Sequence, residues 1–136
     1  MFIETSAVVA ILADEPEAAS FLDLIESAQR RETGAHVRLE ATINLARILG
    51  LGILDAQELF DACIKAADIT VVPVDDAVAR RAVEAFALYG KGQGHPAQLN
   101  FADCLSYACA GRDRSPILFK GRDFAHTDLE LASASG

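Results

Sequence analysis

Four acidic residues stand at points where the sequence predicts that a strand or a helix begins or ends. Glu4 follows a short apolar stretch at the start of the chain, and Asp123 comes just after another near its end. Asp103 falls in the first turn of a predicted helix, and Glu40 in the first turn or two of another. In an open parallel sheet, the carboxyl ends of the strands form the edge where ligands bind. The spacing therefore predicts that four carboxylates from four separate elements converge at that edge.

Converging carboxylates predict a bound cation. They repel one another and have raised pKa values unless a positive ion lies among them. A ligand set made only of oxygens suits Mg²⁺ or Mn²⁺ better than zinc, and the sequence offers no cluster of histidines and cysteines that would compete. A metal in such a site activates water and stabilises the charge on a phosphodiester. The four acids therefore indicate metal-dependent phosphodiester hydrolysis.

Each acid also has a structural explanation that involves no chemistry. In that interpretation Asp103 is half of a helix cap with Asn100, and Asp123 is a turn residue. Glu40 is then an acid on the surface of a helix. Glu4 resists such an explanation most, because a carboxylate directly after a buried strand needs a partner. Taken together, the four positions favour a metal site.

Three further side chains lie close to these acids in the sequence. Ser6 has two interpretations, since its hydroxyl either caps the first helix or orients a water bound to the metal. Lys120 and Arg122 come three residues and one residue before Asp123, and such cations are most often solvated surface residues. Their alternative role is to contact the phosphates of a substrate.

The periodicity of apolar residues predicts strands that alternate with helices. The clearest strand is 69–74, which is short, apolar and rich in β-branched residues. Helices 36–49 and 53–67 follow one another directly, which predicts a helical hairpin inserted into an α/β plan. The polar connector 30–34 has room for a brief strand. Short apolar strands without alternation indicate a parallel sheet buried on both faces, and so an α/β sandwich. The other predicted helices are 7–13, 18–28, 77–89 and 100–111, and the other strands are 2–3 and 117–119.

Length, composition and charge limit the kinds of function that this chain can have. A chain of 136 residues with 51% hydrophobic residues predicts a single domain, 1–136, of which 132–136 are expected to fray. The formal net charge of -8 argues against tight non-specific binding of nucleic acid, although a metal ion neutralises an acidic site locally. No membrane-spanning run and no signal peptide are predicted. Three cysteines without metal-motif or redox-motif spacing predict buried thiols in a reducing cytoplasm.

Several segments, in order along nearly the whole chain, resemble PIN-domain proteins of the VapC toxin type. Residues 1–7 resemble the opening of that family, which usually has Asp where this chain has Glu4. Segment 90–104 resembles its most distinctive part, and 119–128 resembles its closing part. Glu40, between a leucine and an alanine, fits the family's helical glutamate.

The resemblance implies a PIN fold, which is a three-layer α/β/α sandwich, and an Mg²⁺- or Mn²⁺-dependent endoribonuclease. Water would attack the phosphodiester in line, leaving a 5′-phosphate and a 3′-hydroxyl. The implied partners are an RNA substrate, a small VapB-like antitoxin whose segment wraps the toxin, and a second copy in a homodimer within a larger toxin–antitoxin assembly. The family's acidic site falls on Glu4, Glu40, Asp103 and Asp123, with Glu4, Asp103 and Asp123 as metal ligands and Ser6 as the nearby hydroxyl.

Two departures from the family pattern affect the predicted site. Glu4 is one methylene longer than the usual aspartate, a reach of about 1.5 Å. Because Mg²⁺ demands near-ideal octahedral geometry, that shift is expected to weaken activity. Arg122 stands where relatives often carry a further acid, which leaves Asp123 as the sole acid of its turn.

Two other functions compete with the nuclease. The first is a PIN module disabled by Glu4 that binds its antitoxin or RNA without cleaving. The second is a phosphoacceptor domain of the receiver type, which shares the length, the parallel sheet and the strand-end acids. That class needs adjacent acids after the first strand, whereas Asp75 and Asp76 follow a later strand and are interpreted as a helix cap. The three functions rank in the order nuclease, binding module, phosphoacceptor.

Overall fold

The computed structural model describes residues 1–132, and within them the chain forms four strands and six helices. The predicted strands and helices are confirmed to within two residues at each end. The tail predicted to fray lies outside the described residues except for Ala132, whose N–H donates to the carbonyl of Ile117 at 2.9 Å. The strands are β1 (Phe2–Ile3), β2 (Glu32–Gly34), β3 (Thr70–Val72) and β4 (Ile117–Leu118), and the helices are α1 (Thr5–Leu12), α2 (Ala18–Ser27), α3 (Ala35–Leu49), α4 (Ile53–Ala66), α5 (Asp76–Tyr89) and α6 (Phe101–Arg112).

All four strands pair in parallel in the order β3-β2-β1-β4. The chain steps from β1 through β2 to β3 in one direction and then returns past all three to form β4. Crossovers between parallel strands are right-handed, so α1 to α4 and α5 to α6 cover opposite faces of the sheet. The predicted α/β sandwich with a short-stranded parallel sheet and a helical hairpin, α3 and α4, is therefore confirmed.

Strand β2 forms within the polar connector 30–34. Its residues pair with Thr70–Val72 on one side, and Glu32 pairs with Phe2 on the other. The hydroxyl of Thr33, which is fully buried, donates to the carbonyl of Ile3 at 2.7 Å. Pairing with two neighbouring strands, rather than intrinsic β propensity, therefore makes this segment a strand.

The strand order reverses between β1 and β4. The chain leaves β1 towards one side of the sheet and comes back to its other side as β4. Ligands in open α/β sheets bind outside the carboxyl ends of the strands at such a reversal. Glu4 directly follows β1, and the segment that carries Asp123 follows β4. The topology itself thus brings two of the predicted acids to one place.

The core fixes the strands and the hairpin that position these acids. Every residue of β1 and β4 is at most 2% exposed. Phe60 of α4 is fully buried, and the guanidinium of Arg38 on α3 lies 5.1 Å from the centre of its ring. Burying a large apolar side chain contributes about 1.5–3 kcal/mol. The hairpin is therefore anchored by packing rather than by helix propensity alone.

Other predicted local features also appear. Asp75 caps α5, with its carboxylate accepting the N–H of Val78 at 2.9 Å, so the helix-cap interpretation of that acid is confirmed. Cys104 and Cys109 are buried free thiols, and Cys63 is half-buried and free. Among residues 1–132, no helix has the length and apolar character needed to cross a membrane.

Gly50 ends α3 in the left-handed conformation, with φ of 66°, and its N–H bonds to the carbonyl of Ala46. A Cβ added here would meet no atom within 4 Å, so only the backbone conformation opposes substitution. We expect Gly50→Ala to lower the free energy of unfolding by about 1 kcal/mol, and Gly50→Asn by clearly less, because asparagine tolerates this conformation. Urea denaturation followed by circular dichroism measures both. Equal losses in the two variants would contradict this explanation.

Candidate active site

A cleft of about 460 Å³ opens at the carboxyl ends of β1 and β4. All four predicted acids line it, together with Ser6 from α1 and two polar residues of α3. The predicted convergence of the carboxylates is therefore observed, whereas their roles as ligands or catalysts stay predictions. The acids are Glu4, Glu40, Asp103 and Asp123.

Glu4 is both the most buried of these acids and the cap of α1. It is 4% exposed, and its Oε2 accepts the backbone N–H of Ser6 at 2.8 Å and the Ser6 hydroxyl at 2.6 Å. The helix begins at Thr5, one residue before Ser6, so the interpretation of Ser6 as the helix cap is wrong. The Ser6 hydroxyl also accepts the backbone N–H of Lys120 at 2.8 Å. One hydroxyl thus joins the end of β1 to the end of β4.

Burial controls the ionisation of Glu4. Loss of hydration raises its pKa to about 7, although the two hydrogen bonds from Ser6 act in the opposite direction and lower it. The charges of Asp103 and Glu40 raise it further. A neighbouring positive charge would favour the ionised acid and so offset the effect of burial on the pKa.

Asp103 combines the two roles that the sequence offered as alternatives. Its Oδ2 accepts the N–H of Asn100 at 3.0 Å, and Asn100 accepts the N–H of Asp103 at 2.9 Å, which makes a reciprocal cap at the start of α6. Asp103 is also 8% exposed and faces the cleft. Burial raises its pKa to about 6, helped by the charges of Asp123 and Glu40. Only one carboxylate oxygen takes part in the cap, which leaves the other for a ligand.

One face of α3 forms a wall of the cleft. Glu40, Asn44 and Arg47 follow at intervals of four and three residues and all line it, as their spacing predicts. Glu40 is half-buried. Its carboxylate therefore belongs to the cleft rather than to an open helix surface.

A hydrogen bond between helices holds this wall against α6. The Nε2 of His36 lies 2.8 Å from the hydroxyl of Ser106, which is fully buried. Burial lowers the pKa of His36 to about 4, so the imidazole is neutral at physiological pH. His36 is one turn from Glu40 on α3, and Ser106 is one turn from Asp103 on α6. The bond thus helps set the separation of two acids.

The turn after β4 presents Asp123 to the cleft. Gly121 has φ of 111°, a conformation that side-chain-bearing residues rarely adopt. Phe124 is 1% exposed and packs edge-to-face on Phe119, with ring centres 5.2 Å apart. An exposed acid is therefore carried by a turn that is anchored on both sides.

The two cations proposed as phosphate contacts differ in position. Lys120 lines the cleft, but its Nζ is bound to Glu15 at 2.8 Å and to Glu17 at 3.3 Å. Arg122 is exposed and is not among the residues that line the cleft. Arg47 does line it, and the periodicity of α3 was the only signal for that position.

The donor set fits a hydrated divalent cation. Within the described chain, no three acidic, histidine or cysteine side chains stand close enough to form a ready-made metal cage. The carboxylates nevertheless raise one another's pKa values across the cleft. Mg²⁺ is usually held by one or two carboxylates and keeps several waters. An open cleft lined by acids suits that mode of binding.

Comparisons with known proteins agree with this architecture. Residues 1–130 match the model of the PIN domain family. Ribonuclease VapC28 of Mycobacterium tuberculosis is 42% identical over 138 residues, which cover 97% of each chain. Among solved structures, M. tuberculosis VapC20, described as a toxin that cleaves the sarcin-ricin loop, superposes with a TM-score of 0.75 at 20% identity and covers 94% of this chain and 95% of its own.

A second solved structure, a toxin–antitoxin complex from Klebsiella pneumoniae, superposes with a TM-score of 0.70 at 13% identity and covers 93% of this chain and 92% of its own. Both structural matches show the fold, and the match to the family model over residues 1–130 spans all four acids of the cleft. The chain, with four carboxylates gathered where its strand order reverses, belongs to the VapC branch of the PIN-domain family.

Proposed function

We propose that this protein is an endoribonuclease toxin that depends on Mg²⁺ or Mn²⁺ and forms one half of a toxin–antitoxin pair. The observation that carries the proposal is the meeting of four carboxylates in one cleft, two of them with raised pKa values. The name of the ribonuclease VapC28, a relative at 42% identity, supports RNA as the substrate.

Each acid has a proposed task. Glu4, Asp103 and Asp123 hold the cation, and Glu40 adds the fourth negative charge. The bound cation supplies activation of water and neutralisation of charge on the phosphodiester. The Ser6 hydroxyl fixes the orientation of the Glu4 carboxylate and, through the N–H of Lys120, the path of the chain towards Asp123. The chain thus contributes mainly orientation and charge.

Protons compete with the cation for the same oxygens. Glu4, with a pKa near 7, and Asp103, with a pKa near 6, are partly protonated just below neutrality. Cation affinity should therefore fall as the pH drops below about 7, since each ligand must lose its proton to bind.

Protein partners belong to the same proposal. A VapB-like antitoxin and a second copy of the toxin each need an apolar surface, and two such surfaces are exposed. One lies on α3 and α4 and includes Leu39 and Leu54, which are 65% and 73% exposed. The other lies on α5 and α6 and includes Val83 and Phe101, which are 71% and 82% exposed. The toxin–antitoxin complex among the structural neighbours supports an antitoxin, and we place the protein in the cytoplasm.

A second candidate function is a module that binds its antitoxin or RNA without cleaving. The observation that favours it is the commitment of Glu4 Oε2 to two hydrogen bonds from Ser6. The longer side chain has to fold back to cap the helix, so its remaining oxygen differs in position from that of an aspartate. Misplacement by about 1 Å can cost two orders of magnitude in rate.

Cleavage of total RNA by the purified protein tests the nuclease. We expect cleavage in Mg²⁺ or Mn²⁺, none in EDTA, and a loss of about 100-fold or more in Asp103→Asn, which removes a ligand charge. Asparagine can still cap α6, so circular dichroism should show the variant folded. Cleavage that survives EDTA would contradict the metal site.

Replacement of Glu4 by aspartate separates the two candidate functions. We expect Glu4→Asp to cleave RNA roughly ten- to a hundred-fold faster than the natural chain, because it restores the shorter ligand. Initial rates at saturating Mn²⁺ measure this. If the natural chain does not cleave RNA and the variant does, the binding module is established. If the variant cleaves more slowly than the natural chain, the cleft is built around glutamate.

The raised pKa of Glu4 predicts a stability cost in metal-free protein. Below about pH 4.5 the acid is protonated in both folded and unfolded chains, so it has no effect. Between pH 4.5 and 7 only the unfolded chain ionises, and the folded state loses stability, by a few kcal/mol in full. Glu4→Gln should therefore stabilise the protein at pH 8 in EDTA by about 2 kcal/mol. Near pH 4.5 it should have little effect. Urea denaturation at both pH values measures the difference, and an effect that is the same at the two would refute it.

A further inference from the structure

Arg47 differs from every other basic residue of the cleft. It is exposed, it lines the same cleft as the four acids, and within residues 1–132 it makes no salt bridge. Lys120 is the other described cation that lines the cleft, and Glu15 and Glu17 hold its Nζ. Arg47 is therefore the cation whose charge is available to a ligand.

The charge of the protein favours a role for such a cation in RNA binding. The chain carries 20 acidic and 12 basic residues, and the cleft gathers several of the acids, so its surroundings repel RNA. A cation bound among the carboxylates neutralises only the place where it sits. Phosphates on either side of the reacting one still approach a negative surface, and each contact with a basic side chain offsets that repulsion.

The helix sets where Arg47 meets the strand. It lies seven residues after Glu40, or about 10 Å along the axis of α3. Asn44 lies between them on the same face and offers an amide at the wall of the cleft. The backbone of Arg47 is thus displaced from that of Glu40 by two helical turns along the wall of the cleft, a spacing that suits a flanking phosphate better than the reacting one. Its planar donors match phosphate oxygens in pairs.

We infer that Arg47 binds a backbone phosphate next to the cleavage site and sets the path of the single RNA strand along α3. The inference rests on the proposed nuclease function and deepens it. Arg47 is a positioning residue, because it touches the strand without touching the reacting atoms. Lys120, by contrast, stabilises the end of β4 by its ion pairs with the α1–α2 connection.

Salt-dependent RNA binding tests the assignment. Affinity for a labelled single-stranded RNA of random sequence is measured in Mg²⁺ over a series of NaCl concentrations. Every protein in this series carries Asp103→Asn, which prevents cleavage, and the chain with this change alone is the parent. Arg47→Gln should make the slope of log affinity against log salt shallower by about 0.7, the value for one lost phosphate contact. At 0.1 M salt this corresponds to about a fivefold loss.

Two control variants sharpen the result. Arg80→Gln removes the same charge from the exposed surface of α5, outside the cleft, and should leave the slope unchanged. Arg47→Lys keeps the charge and should retain most of the slope. Binding of Mn²⁺ by the otherwise natural chain, followed by electron paramagnetic resonance without RNA, should be as tight or tighter in Arg47→Gln, because a repelling charge has gone.

Each other outcome overturns the inference. If Arg47→Gln matches Arg80→Gln while the parent binds RNA, another residue guides the strand and the nuclease proposal stands. If Arg47→Gln loses RNA and Mn²⁺ together, Arg47 supports the acids and not the RNA. If the parent does not bind RNA and the natural chain does not cleave it, the nuclease proposal fails as well.

Discussion

The repulsion between carboxylates in a partly dehydrated cleft is the constraint on which this structure depends. Glu4 and Asp103 are both more than nine-tenths buried. Burial raises the pKa of each, and the charges of the neighbouring acids raise it further. An arrangement of this kind costs stability and persists only where neighbouring groups hold it. Ser6 and the cap at Asn100 do so locally. The completely buried strands β1 and β4 do so for the cleft as a whole.

Short strands are well suited to this task. β1 and β4 have two residues each, so Glu4 follows its strand directly and Asp123 follows within a short turn. Parallel pairing of Ile3 with Leu118 sets the two strand ends level, and the Ser6 hydroxyl bonds across the gap between them. A shift of this pairing by one residue would put the two strand ends out of level and turn the side chains of one strand to its other face. The register of two buried pairs therefore fixes much of the cleft.

Local features of the fold and the edge of the sheet where the acids meet could be predicted from the sequence, whereas individual hydrogen bonds and ion pairs between distant side chains could not. The ends of α3, the cap at Asp75 and the convergence of the acids follow from spacing and residue type. The sequence alone does not decide whether 30–34 forms a strand, because the polar residues of β2 become a strand only between two partners. The bond from His36 joins residues 70 positions apart, and the pairing of Lys120 with Glu15 spans 105. No periodicity in a single sequence encodes such pairs.

Glu4 shows how one carboxylate can serve the fold and the chemistry at once. A side-chain oxygen at this position caps α1, and the positive end of the helix dipole favours a negative charge there. Because Oε2 already accepts two hydrogen bonds, only Oε1 can turn towards the cleft without breaking the cap. An aspartate would make the same cap with one methylene fewer. With glutamate in place of aspartate, the charge and the cap therefore stay in place, and only the oxygen that a cation would meet moves.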